Sequence, residues 1–307
     1  MSSRRLPLLS AVVTVTVGAS ILSGCSNSDG DGTSGGKVSV VTSTDVWASV
    51  ATAVAGDKAT VQALYTSPDG DPHEFEPTAK DTAKVSDAGI VVLNGNDYDP
   101  YMEKAPKGQR ATVINAFDVY KSSGGDGSTK AGEVNEHFFY NLSVVGKVAG
   151  QIADALGKKD SDNAATYTAN AKAFTDKLDA LQTKLAAVKA AHAGDKVAQT
   201  EPLAAYLLAD AGLTDATPSA FTDAVEAGQD PPASAIATTE DLINKKTVKA
   251  LLYNTQAVDE TTKRLLASTA TVGLPVVKLT ETLPAGVTDY VAWQTANVDA
   301  IAAAVNK

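Results

Sequence analysis

Two of the three histidines in this 307-residue chain stand in acidic, turn-prone surroundings. His73 lies in Asp71-Pro72-His73-Glu74-Phe75-Glu76-Pro77, and His137 in Asn135-Glu136-His137-Phe138-Phe139. Each follows an extended stretch and precedes a helical pattern, where an α/β protein places ligands rather than core side chains. Imidazole suits zinc, iron and nickel, and a nearby carboxylate such as Asp71 or Glu74 can fix its tautomer and raise its basicity. Two such loops, distant in an acidic sequence, suggest a metal site closed between two lobes. The plainer readings are a surface histidine in a polar loop for His73 and a helix-start residue packing on Phe138 for His137. His192 ends a long helical pattern just before Gly194 and reads as structural.

These loops need a frame to position them. Short β-branched or apolar runs at 38–42, 59–65, 88–93 and 112–116 read as strands, with helical patterns at 46–54 and 78–86 between them. Alternating strands and helices predict a parallel sheet covered on both faces, with ligands beyond the carboxyl ends of the strands. A helix over 141–156, closed by Gly157, leads to a very long helical pattern over 160–192. There Phe174, Leu178, Leu181, Leu185 and Val188 step by four and three, which gives one apolar stripe. The stripe is too short for a coiled-coil seam, and one helix running along two lobes fits it better. The alternation restarts after Gly194: strands at 196–200, 249–254 and 275–279, and helices at 201–210, 259–268 and 287–305. The expected fold class is therefore α/β, two lobes, each a mostly parallel sheet with flanking helices, linked by one long backbone helix. The expected bounds are 37–158, 159–193 and 194–307. The Gly/Ser-rich stretch 121–135 reads as a mobile surface loop. Trp47 and Tyr98 read as packing residues, with lining of the cleft as the alternative, and Asp97 and Asp99 as turn acids.

The N-terminus reads as an address. Arg4 and Arg5 precede an uncharged apolar run over 6–22, and Leu22-Ser23-Gly24-Cys25 follows. A short apolar segment ending in small residues is a signal peptide rather than a spanning helix. Cys25 is the sole cysteine, so it makes no internal disulfide. The stretch resembles the bacterial lipobox, in which the cysteine sulfur receives a diacylglyceryl group and the chain is cut before it. The plainer reading is a free thiol near a cleavage site. Residues 26–36 are rich in Ser, Gly, Asp and Asn, the composition of a flexible tether. The expected mature protein is extracytoplasmic and lipid-anchored to the cell membrane. A net charge of −10 and a pI near 4.8 argue against nucleic acid as a partner. An acidic field also attracts cations, although solubility alone explains the charge equally well.

The lipobox, the D-P-H-E-F-E-P loop at 71–77, the N-G at 94–95, the E-H at 136–137 and the T-E-P step at 200–202 together resemble the metal-binding lipoproteins of ABC importers. These zinc and manganese solute-binding proteins have two α/β lobes joined by one rigid helix. The resemblance implies one divalent metal ion, manganese or zinc, held by four side chains, two from each lobe. Residue by residue it implies His73 and His137 from the first lobe, then Glu201 and Glu281 from the second. Many zinc binders have histidine at the Glu201 position, and the position of Glu281 is usually aspartate. Asp259 and Glu260 are alternatives for that fourth place, Glu201 reads equally as an acid at a helix start, and Glu281 as a solvated loop acid. The resemblance also implies a separate ABC permease and ATPase as partners, and a monomer.

Two imidazoles and two carboxylates make a mixed nitrogen–oxygen set that neutralises a divalent ion. Carboxylates allow coordination above four, which tilts the expectation toward manganese, while the general affinity order favours zinc at the same ligands. A secreted metallohydrolase is the rival from another class, but the chain has no H-E-x-x-H, and zinc catalysis needs an open ligand position. A metal-stabilised adhesin or sensor lipoprotein is a further alternative. The chain is therefore expected to bind and deliver a metal ion and not to act as an enzyme.

Overall fold

Short apolar strands alternate with helices in the computed structural model, which describes residues 36–124 and 134–307. The expected signal peptide, the lipidation at Cys25 and nearly all of the tether lie outside these residues. So does 125–133, most of the expected surface loop.

The first lobe contains β1 (Val38–Thr44), α1 (Asp45–Ala55), β2 (Ala59–Tyr65), α2 (Ala79–Asp87), β3 (Ile90–Leu93), α3 (Pro100–Lys104), β4 (Thr112–Asn115), α4 (Ala116–Ser122) and α5 (Leu142–Lys159). Its strands form one parallel sheet in the order β2-β1-β3-β4. All four residues of β3 are buried, as a central parallel strand covered on both faces requires. The link is α6 (Ala164–His192), whose 29 residues span about 44 Å. The second lobe follows with β5 (Lys196–Gln199), α7 (Ala205–Asp210), β6 (Thr214–Asp215), α8 (Ser219–Glu226), α9 (Ala233–Asn244), β7 (Leu251–Asn254), α10 (Glu260–Val272), β8 (Val276–Leu279) and α11 (Tyr290–Val305). Its parallel sheet, β6-β5-β7-β8, repeats the strand order of the first.

The stripe on α6 is buried along its length from Tyr167 to Val188. One apolar core runs from Val40 and Trp47 through α5 and α6 to Leu279 and Val305. The last helix, α11, packs on α6, β8 and α1, so the C-terminus of the second lobe completes the first. Ser49 strengthens that junction: its hydroxyl donates to Thr288 O at 2.9 Å and accepts from Tyr290 N at 2.9 Å.

Several boundaries differ from expectation for physical reasons. Gly157 does not close α5. It lies in the last turn, where a Cβ would stand 3.2 Å from Ala164 Cβ, so its value there is close approach to α6. Asp160 does not begin the long helix. Its carboxylate accepts from Asn163 Nδ2 at 2.8 Å and Tyr167 Oη at 2.6 Å, stabilising a 3-10 turn over Ser161–Asn163 ahead of α6. The helix expected from Glu201 starts at Ala205, because residues 201–204 form a turn in which Gln199 Oε1 accepts from Ala204 N. His192 pairs with Asp195 at 3.0 Å and Asn306 at 3.0 Å, which fastens the end of α6 to the chain's last turn.

Candidate metal centre

The loop after β2 carries His73 on a 3-10 turn, Pro72–Glu74. Pro72 presets its first residue, and Asp71 Oδ1 accepts from His73 N at 2.8 Å, so the turn is capped as a short helix would be. Phe75 anchors the loop between Tyr65 and Tyr101, with ring centroids at 5.3 and 5.0 Å. The imidazole packs edge-on against Tyr98 at 4.9 Å. Of the two readings of Tyr98, its position fits the cleft-lining one: it forms one wall of the site. Asp99 is the capping acid of its turn, accepting from Asn94 N at 2.7 Å and Gly95 N at 2.8 Å.

His137 stands just before a 3-10 turn, Phe138–Tyr140, and is fully buried. Asn135 Oδ1 accepts from His137 N at 2.9 Å and lies 3.2 Å from Nδ1. Since that oxygen can only accept, the proton belongs on Nδ1 and the lone pair of Nε2 faces inward. Burial pushes this imidazole down to about 4, with Glu281 opposing, so it is neutral at ordinary pH.

Glu281 follows β8 and is 1% exposed. Its Oε2 lies 3.3 Å from His73 Nε2 and 3.8 Å from His137 Nε2. Burial disfavours its charge, but the two imidazoles outweigh that and hold it below the usual carboxylate range. Burial likewise opposes a charge on His73, yet the Glu281 carboxylate carries that imidazole up to about 10. His73, His137 and Glu281 each offer a ligand atom within 4.8 Å of the others. His137 Nε2 is buried and makes no hydrogen bond among the described residues, while His73 Nε2 and Glu281 Oε2, also buried, face each other as an ion pair. Two ligands of one ion at about 2.1 Å each stand at most about 4.2 Å apart, a span that the 3.3 and 3.8 Å separations from Glu281 Oε2 already meet.

The sequence model of the family described as zinc-uptake complex component A, periplasmic (ZnuA), matches residues 40–304. The chain belongs to the ZnuA family. It is 31% identical over 182 residues to the manganese ABC transporter substrate-binding lipoprotein PsaA of Streptococcus pneumoniae, covering 56% of this chain and 58% of that protein. The chain thus spans little more than half the length of the curated relatives it matches. Its fold is that of the periplasmic zinc binding protein TroA from Treponema pallidum, with a TM-score of 0.73 at 18% identity over 88% of this chain and 99% of that one. The laminin binding protein Lmb of Streptococcus agalactiae, described as a bifunctional adhesin and metal transporter, superposes with a TM-score of 0.71 at 20% identity over 88% of this chain and 99% of that one.

In this ZnuA-family chain the four expected ligand positions divide three to one. Glu201 lies at the same buried end of the second sheet, but its carboxylate stands outside the set and accepts instead from Asn254 Nδ2. The same amide donates to Glu281 Oε1 at 2.9 Å, so one asparagine sits between two buried carboxylates. Burial first, then the charge of Glu281, pushes Glu201 well above the usual carboxylate range. Of the alternatives, Asp259 caps α10 through Thr262 N and Glu260 pairs with Lys263 at the surface, so neither joins the set.

Two acids that sequence reasoning missed complete the surroundings. Glu136 Oε1 lies 3.6 Å from His73 Nε2, and Glu226 Oε1 lies 3.8 Å from His137 Nδ1. Burial raises them to about 8 and about 7. Adjacency to His137 was a signal for Glu136; nothing pointed to Glu226, which reaches the site from α8. A recess of ≈ 420 Å³ bordered by Gln256 is lined by Asp69, Asp71, Glu74, Asp230 and Asp259, an acidic field of the kind that attracts cations.

Proposed function

We propose that the chain captures a divalent transition-metal ion, manganese or zinc, between its lobes and delivers it to an ABC permease of the cytoplasmic membrane. It acts as an extracytoplasmic monomer anchored through lipid on Cys25. One observation carries this reading: His73 Nε2, His137 Nε2 and Glu281 Oε2 converge from both lobes, buried and within 4.8 Å of one another. A buried polar atom left unpaired, as His137 Nε2 is, costs about 1–3 kcal/mol, and one cation gives it and the His73–Glu281 pair a common partner.

Glu201 supplies the fourth ligand by turning from Asn254 toward the ion. Two neutral imidazoles and two carboxylates then leave no residual charge on a divalent metal. Bidentate carboxylates suit manganese, which accepts coordination above four, and the metal named for PsaA agrees. Zinc, named for TroA, competes at the same ligands by its higher intrinsic affinity. Four protein ligands leave no open position for a substrate, so the chemistry is capture rather than catalysis. Among the described residues no helix is long and apolar enough to cross a membrane, and the passage itself belongs to the permease.

The test is a calorimetric titration of the metal-free full chain with Mn²⁺ and Zn²⁺, beside His73→Ala and Glu281→Ala. The expected result is one site per chain, weakened by each substitution at least as much as the roughly 100-fold that outer-shell changes produce. Binding left intact by both substitutions would refute the site.

A further inference from the structure

Gln256, two residues beyond β7, touches the His73 loop of the first lobe and the Glu281 loop of the second. Its Oε1 accepts from the backbone N–H groups of Glu281 and Thr282. Its Nε2 donates to Thr282 Oγ1 at 2.7 Å and Gly70 O at 3.0 Å, with Pro68 O at 3.3 Å and Ser67 O at 3.4 Å beside them. Thr282 Oγ1 in turn donates to Ser67 O at 2.8 Å. The amide has one orientation here, since one end meets only donors and the other only oxygens. Gln256 and Thr282 are both buried. The backbone N–H of Gln256 donates to Asn254 Oδ1 at 2.9 Å, which ties it to the asparagine between the two carboxylates.

We propose that Gln256, with Thr282, is an interlobe latch: a positioning residue that registers Glu281 against the His73 loop and sets how slowly a captured ion leaves. This rests on the capture reading above. The two lobes share an apolar core along α6 and α11, which resists wide opening. The polar rim is the part that can part and re-form. On this rim, opening breaks the bonds from Gln256 and Thr282 to the carbonyls of 67–70. The facing rim is held separately, by Asn135 Nδ2 on Pro202 O at 2.7 Å and Tyr206 Oη on Asn135 O at 2.6 Å. Because Oε1 also holds the Glu281 backbone, the side chain that releases the loop also releases the ligand.

Two variants of the full chain separate these roles. Thr282→Val removes the hydroxyl's bonds to Ser67 O and from Gln256 Nε2 but leaves Glu281 N anchored on Gln256 Oε1. Gln256→Met keeps the volume and removes both halves of the amide. Release of bound Mn²⁺ or Zn²⁺ into excess chelator is followed by stopped flow, with Co²⁺ absorption as a reporter of ligand geometry. Thr282→Val should release metal about tenfold faster, with the association rate and the Co²⁺ spectrum unchanged. Gln256→Met should release it faster still and alter the spectrum. Hydrogen exchange of the metal-free chains should show the Glu281 and Thr282 amides protected in the parent and in Thr282→Val, and exposed in Gln256→Met. Release rates within about twofold of the parent in both variants would overturn the latch, as would protected Glu281 and Thr282 amides in Gln256→Met. If Gln256→Met fails to fold, Thr282→Val alone decides through its release rate. A parent chain that binds no metal refutes the capture reading, and hydrogen exchange still judges the latch.

Discussion

His73 Nε2 and Glu281 Oε2 lie 3.3 Å apart and come from different lobes. Each reverses what burial alone would do to the other: the imidazole is raised to about 10 and the carboxylate is held low. In the metal-free chain a proton on His73 therefore occupies the nitrogen that a metal ion needs. Binding at pH 7 should release at least about one proton per ion. Since a raised imidazole stays protonated until the pH passes its folded value, affinity should rise with pH up to about 10 and fall at least about tenfold per unit below it, the Glu201 carboxyl adding to the slope where it too must give up a proton. His137, held at about 4, adds no slope above pH ~5. Calorimetry in buffers of different ionisation enthalpy counts the protons; a count of zero would mean that His73 is already neutral.

Asn254 should prove structural in the metal-free chain. It is the hydrogen-bond donor to both Glu201 and Glu281. Asn254→Ala leaves two buried carboxylates without that donor and should cost about 2 kcal/mol or more in urea unfolding. Adding metal should restore much of the loss, because the ion replaces the donor. Equal losses with and without metal would place the asparagine outside the metal's reach.

Asp45 links α1 to the second lobe by accepting from Leu283 N at 3.2 Å, and burial pushes its carboxyl up to about 6. For an acid raised on folding, the native state holds its proton longer than the unfolded chain does. Stability should therefore drop as pH rises through the interval from about 4 to about 6 and then level off. Asp45→Asn keeps an acceptor and removes the charge. At pH 7 it should exceed the parent by about 1–2 kcal/mol, the shift being discounted for partial exposure, with no gain at pH 3. Urea unfolding at the two pH values measures the difference.

The shared core should make the lobes unfold together. Leu185 is fully buried in the middle of the continuous apolar cluster. Leu185→Ala should cost about 2–5 kcal/mol and leave a single calorimetric transition. Two resolved transitions would show that the lobes are energetically separate.

Much of this architecture was legible because its signals are local. The β-branched runs of β1 and β2 and the four-three spacing along α6 need no partner to be read. The stretch between Ala211 and Val248 carried no comparable signal: β6 is only two residues long, α8 is short, and α9 buries only Ala235, Thr239 and Ile243. That gap hid Glu226. The loops bearing His73, His137, Glu201 and Glu281 were recognisable, but side-chain direction was not. Whether Glu201 faces an ion or Asn254 depends on a strand end 53 residues away. Gln256 was invisible for the same reason, since its partners lie 186 residues away at Gly70 and 25 residues away at Glu281.

The packing of α11 on α1 has a bearing on biosynthesis. In synthesis α1 emerges well before α11, so the first lobe's core lacks that wall until α11 has been made. Tyr290 Oη, which donates to Phe139 O at 2.7 Å, arrives equally late. Such a long-range closure slows native folding and keeps the emerging polypeptide loose.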